Sequence, residues 1–278
     1  MMKHILFPTD FSEIATHAFV HALEFANAVG ADLIVLHSYE LLTFDEQFFH
    51  ENYSMIYDSI EFSELDRFKE EVPKMHKLAQ ALALDQIKMT HRLMEGNLVS
   101  NIKKAVKEDK IDFVVMGTSG MTGWDAFFVG SNSGSVIIGV EVPMLCVPLS
   151  AKYRPIKNIG FTTRFRPKDK KPLQAVLEIA KKLNAKVKCL YVKTNTSDVS
   201  FETIDLWKKE YRKEPISFYI VLSDAIKETV IDFVSTKNID VLTMLTYKRG
   251  FFEGLFVPSY GKKEEQELDI PILAIHSD

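Results

Sequence analysis

The residues best suited to bind a ligand lie in a glycine-rich stretch, residues 117–134, in which five glycines alternate with small hydroxyl residues. A short apolar run, residues 113–116, precedes the stretch and predicts a buried strand, and the residues after it predict a helix. A glycine loop between a strand and a helix binds phosphate groups because the backbone can approach the anion and N–H groups face it. The alternative is an ordinary connection whose glycines serve only as turn residues.

The spacing of these glycines separates the stretch from two common nucleotide motifs. Two residues separate Gly117 from Gly120, and nine residues separate Gly120 from Gly130-Ser131. The chain has no Gly-Lys-Ser/Thr sequence, which excludes a Walker loop, and it lacks the G-x-G-x-x-G fingerprint of dinucleotide-binding proteins. The pattern therefore indicates a different kind of phosphate loop.

The elements that must position this loop begin at the N-terminus. His4 to Phe7 predicts a strand that ends at Pro8-Thr9-Asp10, Ser12 can cap a helix over 13–28, and Leu33 to His37 predicts a second strand. A strand, helix and strand within some 35 residues predict a parallel sheet. Asp10 at a strand's carboxyl end could accept hydrogen bonds from ribose hydroxyls, or it could simply cap the first helix. Ser131 and Ser133 could donate hydroxyl hydrogen bonds to phosphate or could serve as helix caps.

The chain carries this unit twice. Residues 3–11 align with residues 157–165 at an offset of 154, whereas 142–145 align with 270–273 at an offset of 128. The second copy is therefore 26 residues shorter in its middle, the difference between the two offsets. The pattern predicts an α/β protein of two tandem, doubly wound, five-stranded parallel-sheet units, with domains at residues 1–150 and 151–278.

The extra length of the first copy lies in the segment 41–86, whose role the sequence leaves open. Aromatic residues occupy its first part, and a stripe of apolar residues at helical spacing follows between Ser63 and Leu84, with Pro73 expected to break or kink that helix. The segment could pack on the sheet, act as a lid over a ligand site, or contact a second chain.

Composition narrows the class of protein. The 278 residues are 46% hydrophobic and 26% charged, as in globular proteins, and the net charge of −4 gives no reason to expect nucleic-acid binding. No apolar run approaches the length of a membrane span, and Cys146 and Cys189 are expected to be buried free thiols, so we expect a cytoplasmic protein. His17 and His21 have the i,i+4 spacing of metal ligands, but no third ligand accompanies them, and packing or solvent exposure is the preferred interpretation.

Together, Pro8-Thr9-Asp10, the strand that ends at His37-Ser38 and the glycine loop resemble the universal stress protein family, over nearly the whole chain. The resemblance implies the adenine-nucleotide alpha hydrolase-like fold and an ATP site at the carboxyl ends of the strands, with magnesium or manganese on the phosphates. It implies contacts to base and ribose from Pro8, Thr9, Asp10 and Ser38, the last through its backbone. It implies contacts to ribose and phosphates from Gly117, Thr118, Ser119, Gly120, Met121, Thr122, Gly123, Gly130, Ser131, Asn132 and Ser133.

The second copy departs from this pattern. Arg164 replaces Asp10. Leu245, Lys248 and Pro258 replace Gly117, Gly120 and Gly130, and only Ser131 persists, as Ser259. Larger side chains then occupy the space that phosphates need, and proline removes a backbone donor. We expect this half not to bind ATP, and to pair with the first half as an intramolecular pseudo-dimer through the strands after Pro143 and Pro271. A homodimer is left open.

The sequence therefore predicts a stress-response protein that binds ATP in its first half as a regulatory ligand. It offers no positioned general base, so any hydrolysis is expected to be slow, and we expect no catalytic residues and no metal ligands from the protein. The alternative is a non-nucleotide interaction module in which both halves are scaffolding. A transferase acting on an adenine nucleotide would need a nucleophilic or acidic residue that the sequence does not identify.

Overall fold

The computed structural model describes residues 2–41, 53–118, 136–137, 139–246 and 269–276. By its backbone contacts the chain divides into two compact units, residues 1–117 and residues 118–278. The domain boundary predicted from the repeat, near residue 150, lies later in the chain and stays a prediction.

The first unit alternates strands and helices. Its elements are β1 (His4–Pro8), α1 (Glu13–Val29), β2 (Asp32–Tyr39), α2 (Tyr53–Ala81), β3 (Met89–Glu95), α3 (Leu98–Glu108) and β4 (Phe113–Thr118), whose last residue falls at the start of the second unit. The strands are parallel, in the order β3-β2-β1-β4, with His4 opposite Asp32 and Ile5 opposite Phe113. All β-strand carboxyl ends of this unit therefore meet at one edge, as predicted.

The second unit repeats the pattern. Its elements are β5 (Met144–Pro148), β6 (Asn158–Thr162), a 3₁₀ turn (Pro167–Asp169), α4 (Lys170–Lys182), β7 (Lys186–Lys193), α5 (Phe201–Glu210), β8 (Ile216–Leu222), α6 (Ile226–Thr236), β9 (Val241–Thr246) and β10 (Ile272–His276). The strand order is β5-β10-β9-β6-β7-β8, and every pair is parallel except β5 with β10. That antiparallel pair places Leu273 opposite Leu145. It joins the strand after Pro143 to the strand after Pro271. These are the two strands through which the sequence predicts a pseudo-dimer, and the pseudo-dimer itself stays a prediction.

The first helix forms where the sequence predicts it. Ser12 accepts a hydrogen bond from the Ala15 N–H at the N-terminus, and Gly30 ends the helix with a left-handed φ of 68°. Residues with small or aromatic side chains at helical spacing are buried against the sheet: Ala15, Ala18, Phe19, Ala22, Phe25 and Ala26. The Phe25 ring stacks on that of Phe113, with centroids 4.6 Å apart.

Equivalent polar contacts hold both repeats at the same point. The Asp112 carboxylate accepts hydrogen bonds from the N–H groups of Lys3 and His4, at 2.6 and 3.2 Å. The Asp240 carboxylate accepts from Lys157 and Asn158, at 2.9 and 2.8 Å. These pairs have the two offsets found in the sequence, so the duplication is visible in hydrogen bonds as well as in strand order.

The extra segment of the first repeat forms a helix that passes through its proline. Pro73 does not break the helix, because α2 runs without interruption from Tyr53 to Ala81 and Pro73 lies inside it. The alternative, a kink at Pro73, stays a prediction. Met75 and Ala79 are buried, whereas Phe62 is 64% exposed. The buried stripe therefore packs on the first unit, as one of the three interpretations predicts. Phe44, Phe48 and Phe49 lie outside the described residues, as do the side chains of Tyr53 and Tyr57.

Both cysteines are buried and unpaired, as predicted, and burial raises the pKa of each thiol. None of the described helices is long and apolar enough to cross a membrane.

Candidate functional site

The turn after β1 is fixed by hydrogen bonds to Thr9. The Thr9 N–H donates to the Leu36 carbonyl at 2.9 Å, and its hydroxyl oxygen accepts from the Phe11 N–H at 3.0 Å. Thr9 is only 8% exposed. The hydroxyl therefore holds the chain in the turn that follows Pro8, and this turn brings Asp10 to the carboxyl edge of the sheet.

Phe11 has a backbone conformation that bulky residues rarely adopt. Its φ is 59°, in the left-handed region, and Phe165 at the same place in the second repeat has a φ of 53°. The left-handed region costs roughly 1–2 kcal/mol for a residue with a Cβ atom. Strain of this kind persists where surrounding contacts enforce it, and ligand sites are common among such places.

Asp10 is exposed, and its carboxylate makes a local contact. One carboxylate oxygen, Oδ1, accepts from the Ser12 N–H at 3.0 Å, so Asp10 supports the start of α1. Its other carboxylate oxygen accepts no hydrogen bond from the described residues. The Asp10 carbonyl oxygen accepts from the Arg67 guanidinium at 2.7 Å, and this guanidinium also lies 5.7 Å from the centre of the Phe11 ring. The turn is thus held from the side of α2.

A buried histidine links the same turn to α2. Nδ1 of His37 lies 2.7 Å from the Thr9 carbonyl oxygen, and its Nε2 lies 3.0 Å from a Glu64 carboxylate oxygen. The His37 side chain is 4% exposed, and its ring lies 4.7 Å from that of Phe11. The two ring nitrogens thus face a backbone carbonyl on one side and a carboxylate on the other, so the His37 side chain connects the turn after β1 to α2.

The side chain of Ser38 is occupied within the protein. Its hydroxyl donates to the Gly96 carbonyl at 2.8 Å and accepts from the Asn101 side-chain amide at 2.6 Å. Ser38 thereby joins the ends of β2 and β3 to α3. A contact to a ligand base through the Ser38 backbone, which the resemblance implies, makes no demand on this hydroxyl.

Gly117 lies where β4 approaches α1 closely. A Cβ atom at this position would lie 2.9 Å from the carbonyl oxygen of Ile14 and 3.0 Å from a methyl carbon of its side chain. The glycine is therefore required for strand-to-helix packing, whatever else it does. Thr118, the last residue of β4, is 3% exposed, and its hydroxyl has no hydrogen-bond partner among the described residues. The remaining predicted contacts, Ser119 to Gly123 and Gly130 to Ser133, lie outside the described residues.

Comparison with known proteins identifies the family to which this architecture belongs. The sequence profile of the universal stress protein family matches residues 1–148. The chain belongs to the universal stress protein family. A universal stress protein from Thermus aquaticus is 33% identical over 150 residues, which are 53% of this chain and 99% of that protein. Another, from Methanocaldococcus jannaschii, is 25% identical over 147 residues, which are 53% of this chain and 82% of that protein.

Solved structures extend the likeness over both repeats. A universal stress protein from Archaeoglobus fulgidus aligns with a TM-score of 0.71 at 17% identity, covering 100% of this chain and 97% of that one. A protein from Pseudomonas aeruginosa aligns with a TM-score of 0.61 at 11% identity, covering 99% of this chain and 93% of that one. At such identities the likeness establishes the fold alone, a tandem universal stress protein fold.

In the second universal stress protein repeat, the turn after β6 donates hydrogen bonds to a carboxylate of the same repeat. The buried Asp169 carboxylate accepts from the Thr163 hydroxyl at 2.9 Å and from the N–H groups of Arg164 and Arg166 at 3.1 and 3.3 Å. Arg164 is half-buried, and Leu245, which replaces Gly117, is buried. Lys248, Pro258 and Ser259 lie outside the described residues.

Sequence reasoning missed four residues that shape the site of this universal stress protein: Glu64, Arg67, Asn101 and Asp169. Glu64 and Arg67 are three residues apart on α2, a spacing that places them on one helix face, but many charged pairs on a helix share it. His17 and His21 approach each other, with ring centroids 5.4 Å apart. Among the described residues no group of three metal-ligating side chains gathers around them or elsewhere.

Proposed function

We propose that the first repeat binds an adenine nucleotide, as the magnesium or manganese complex of ATP. The observation that carries this proposal is the position of Asp10, an exposed carboxylate on a strained turn at the carboxyl edge of a parallel sheet. Ligands of open α/β sheets bind at this edge, and a carboxylate there suits the hydroxyls of a ribose. Family membership and the sequence pattern Gly-x2-Gly-x9-Gly-Ser support the same assignment.

The residues present fit the nucleotide and do not demand a protein-bound metal. Asp10 keeps one carboxylate oxygen clear of hydrogen bonds from the described residues, which leaves an acceptor for a ribose hydroxyl. A divalent cation would be held by the oxygens of the triphosphate, which hard cations prefer, and would supply charge neutralisation. This arrangement needs no metal ligands from the protein, and the described residues contain no cluster of three such ligands.

The proposed role of the nucleotide is regulatory. Glu64 and Arg67 connect α2 to the turn that carries Asp10, so a ligand on this turn would alter the contacts that hold α2. A ligand shifts a conformational equilibrium only by its different affinity for the two states, and contacts of this kind supply such a difference. In this proposal the protein acts in the cytoplasm in a stress response, with ATP hydrolysis slow at most.

Calorimetric titration of the full-length protein with MgATP, with MgGTP as a control, tests the proposal. We expect one adenine-selective site per chain and stabilisation of roughly 2.7 kcal/mol at 100 times Kd. Asp10→Asn keeps an oxygen for the Ser12 N–H but removes the charge, and should weaken MgATP binding by about tenfold while leaving the melting temperature near that of the parent. Asp85→Asn, at an exposed position outside the turn, should bind as the parent does.

A second candidate is an interaction scaffold that binds no nucleotide. Two observations favour it: Asp10 already supports the start of α1, and Gly117 is required by its contact with Ile14. Both residues would then be explained by packing and capping alone. Absence of heat and of a melting shift with MgATP, in protein shown by mass spectrometry to carry no nucleotide, would favour the scaffold over the proposal.

A further inference from the structure

β8 has the composition of an interior strand but lies at the end of the sheet order. Among the described strands of the second unit, it pairs with β7 alone. Its seven residues, Ile216–Leu222, include no charged residue, no proline and no glycine. An edge strand of this kind presents unpaired N–H and C=O groups to other chains, and proteins usually protect such edges.

Aromatic rings contact both faces of β8. The Phe218 ring stacks with that of Phe165, with centroids 6.0 Å apart, and the Tyr219 ring contacts that of Phe233 on α6 at 5.4 Å. Successive residues of a strand point to opposite faces, so each face of the strand has an apolar neighbour within the chain. None of the seven residues is fully buried, however, and Ser217, Val221 and Leu222 are exposed. Part of the apolar surface of β8 is therefore left uncovered by the described residues.

The edge strand of the first unit carries the opposite kind of sequence. β3, Met89–Glu95, includes His91, Arg92 and Glu95. Arg92 forms ion pairs with Asp109 at 2.6 Å and with Glu108 at 3.3 Å. Charges on an edge strand oppose pairing with another chain. The contrast indicates that the β3 edge is protected and that the β8 edge is not.

Exposed apolar side chains are concentrated on α5 and β8. Among the described residues six large apolar side chains are exposed, and four of them lie on these two elements: Phe201, Leu206, Val221 and Leu222. Leu222 is 77% exposed. Val221 and Leu222 therefore place exposed apolar surface on the edge strand itself, as is typical of a protein interface.

The hydrogen bonds of β7 determine which backbone groups of β8 face outward. The Ser223 N–H donates to the Lys193 carbonyl at 3.1 Å, and the Pro215 carbonyl accepts from the Val187 N–H at 2.8 Å. Backbone groups alternate in direction along a strand, so odd-numbered residues of β8 bond to β7. The N–H and C=O groups of Phe218, Ile220 and Leu222 and the Ile216 C=O group therefore point away from the sheet, whereas the Ile216 N–H donates to the Glu214 carbonyl at 2.8 Å.

We propose that β8 pairs antiparallel with β8 of a second copy of this chain, around a two-fold axis at Tyr219. This register places Phe218 opposite Ile220 and Ile216 opposite Leu222, so every outward-facing residue meets another outward-facing residue. All of these cross-strand pairs are apolar, so no charged side chain of β8 opposes another. A two-fold interface requires such self-complementarity, which an uncharged strand with both faces apolar supplies.

Sedimentation velocity of the full-length protein tests the assembly. We expect a concentration-dependent species of twice the 31.8 kDa chain mass. Ile220→Pro removes one outward N–H and no bond to β7, and edge strands accept proline at such positions. It should weaken the dimer at least tenfold. Leu93→Pro removes an outward N–H from β3 in the same way and should leave the dimer unchanged.

Cysteine cross-linking tests the register without relying on the proline variants. Tyr219→Cys places a thiol opposite its own copy across the axis, whereas Ser217→Cys lies opposite Val221. Under mild oxidation the first variant should give a covalent dimer on a non-reducing gel, and the second should stay monomeric. A monomer at all concentrations up to about 100 μM overturns the proposal. Equal cross-linking of both variants also overturns it, as does a folded Ile220→Pro variant that dimerises as the parent does. If the protein stays monomeric and binds an extended peptide instead, the partner of β8 is not a second copy.

Discussion

The carboxylate of Asp169 accepts a hydrogen bond from the backbone N–H of Arg164, at 3.1 Å, and Arg164 occupies the position that Asp10 has in the first repeat. The same carboxylate oxygen accepts from the Arg166 N–H and the Thr163 hydroxyl. Two backbone N–H groups at the turn after β6 are therefore already bound to an internal anion. This arrangement supports the expectation that the second repeat does not bind a nucleotide as the first is proposed to do.

Asp169→Ala should destabilise the protein by about 1–3 kcal/mol, because three donors at a buried position lose their acceptor. Urea denaturation followed by circular dichroism measures the free energy of unfolding. Asp198→Ala is the matched control, since Asp198 is exposed and lies outside this turn. Equal stability of the two variants would show that the Asp169 contacts contribute nothing beyond those of a solvated carboxylate.

Gly117→Ala should cost about 1–3 kcal/mol, because its Cβ atom would approach the Ile14 backbone and either β4 or α1 must move. Gly160→Ala provides the comparison at a strand position in the second repeat. There the nearest atom is a terminal methyl carbon of Leu242, at 2.9 Å, which can move more easily than a backbone oxygen. Thermal denaturation should rank Gly117→Ala below Gly160→Ala, and the reverse order would contradict the packing explanation for Gly117.

Local signals explain which parts of the fold could be predicted from the sequence. The Ser12 cap, the apolar spacing of α1 and the left-handed Gly30 all act within a few residues, and the structure places that helix within one residue of its predicted end. The internal repeat also predicted that β5 pairs with β10, because both copies contain the same short apolar strand after a proline. Contacts between residues far apart in the chain have no comparable local signal.

The features that the sequence did not predict depend on contacts between residues far apart in the chain. Proline removes one helical hydrogen bond, but Met75 and Ala79, which follow Pro73, are buried and stabilise the second part of α2. Arg67 reaches Asp10 across 57 positions of the chain, a distance at which neither periodicity nor capping patterns carry information. Asp169 acts through a turn whose geometry is visible only when Thr163 and Arg164 are placed in space.

Stability should decline as the pH falls below about 6.5, because of His91. Burial, and secondarily the charge of His76, lower the pKa of His91 below its ordinary value of 6.5. The unfolded chain then binds a proton more readily than the folded protein, so the stabilisation is present above pH 6.5 and is lost as the pH falls towards the folded-state pKa. His91→Gln should flatten the decrease in denaturation midpoint between about pH 7.5 and pH 5.5. An unchanged slope would assign the pH dependence to other groups.

Glu64→Ala should release α2 from the proposed site, because Glu64 is the partner of a His37 side chain that is only 4% exposed. Loss of a hydrogen bond to a charged group costs about 1.5–3 kcal/mol, and the buried Nε2 would lose its acceptor. Glu61→Ala makes the same change one turn earlier, at an exposed position, so it controls for helix propensity. Hydrogen exchange measured by mass spectrometry should show faster exchange in the described part of α2 and in the turn around Thr9 for Glu64→Ala alone. If the two variants exchange alike, His37 and Glu64 do not couple α2 to that turn, and the regulatory role proposed for the nucleotide loses its structural link.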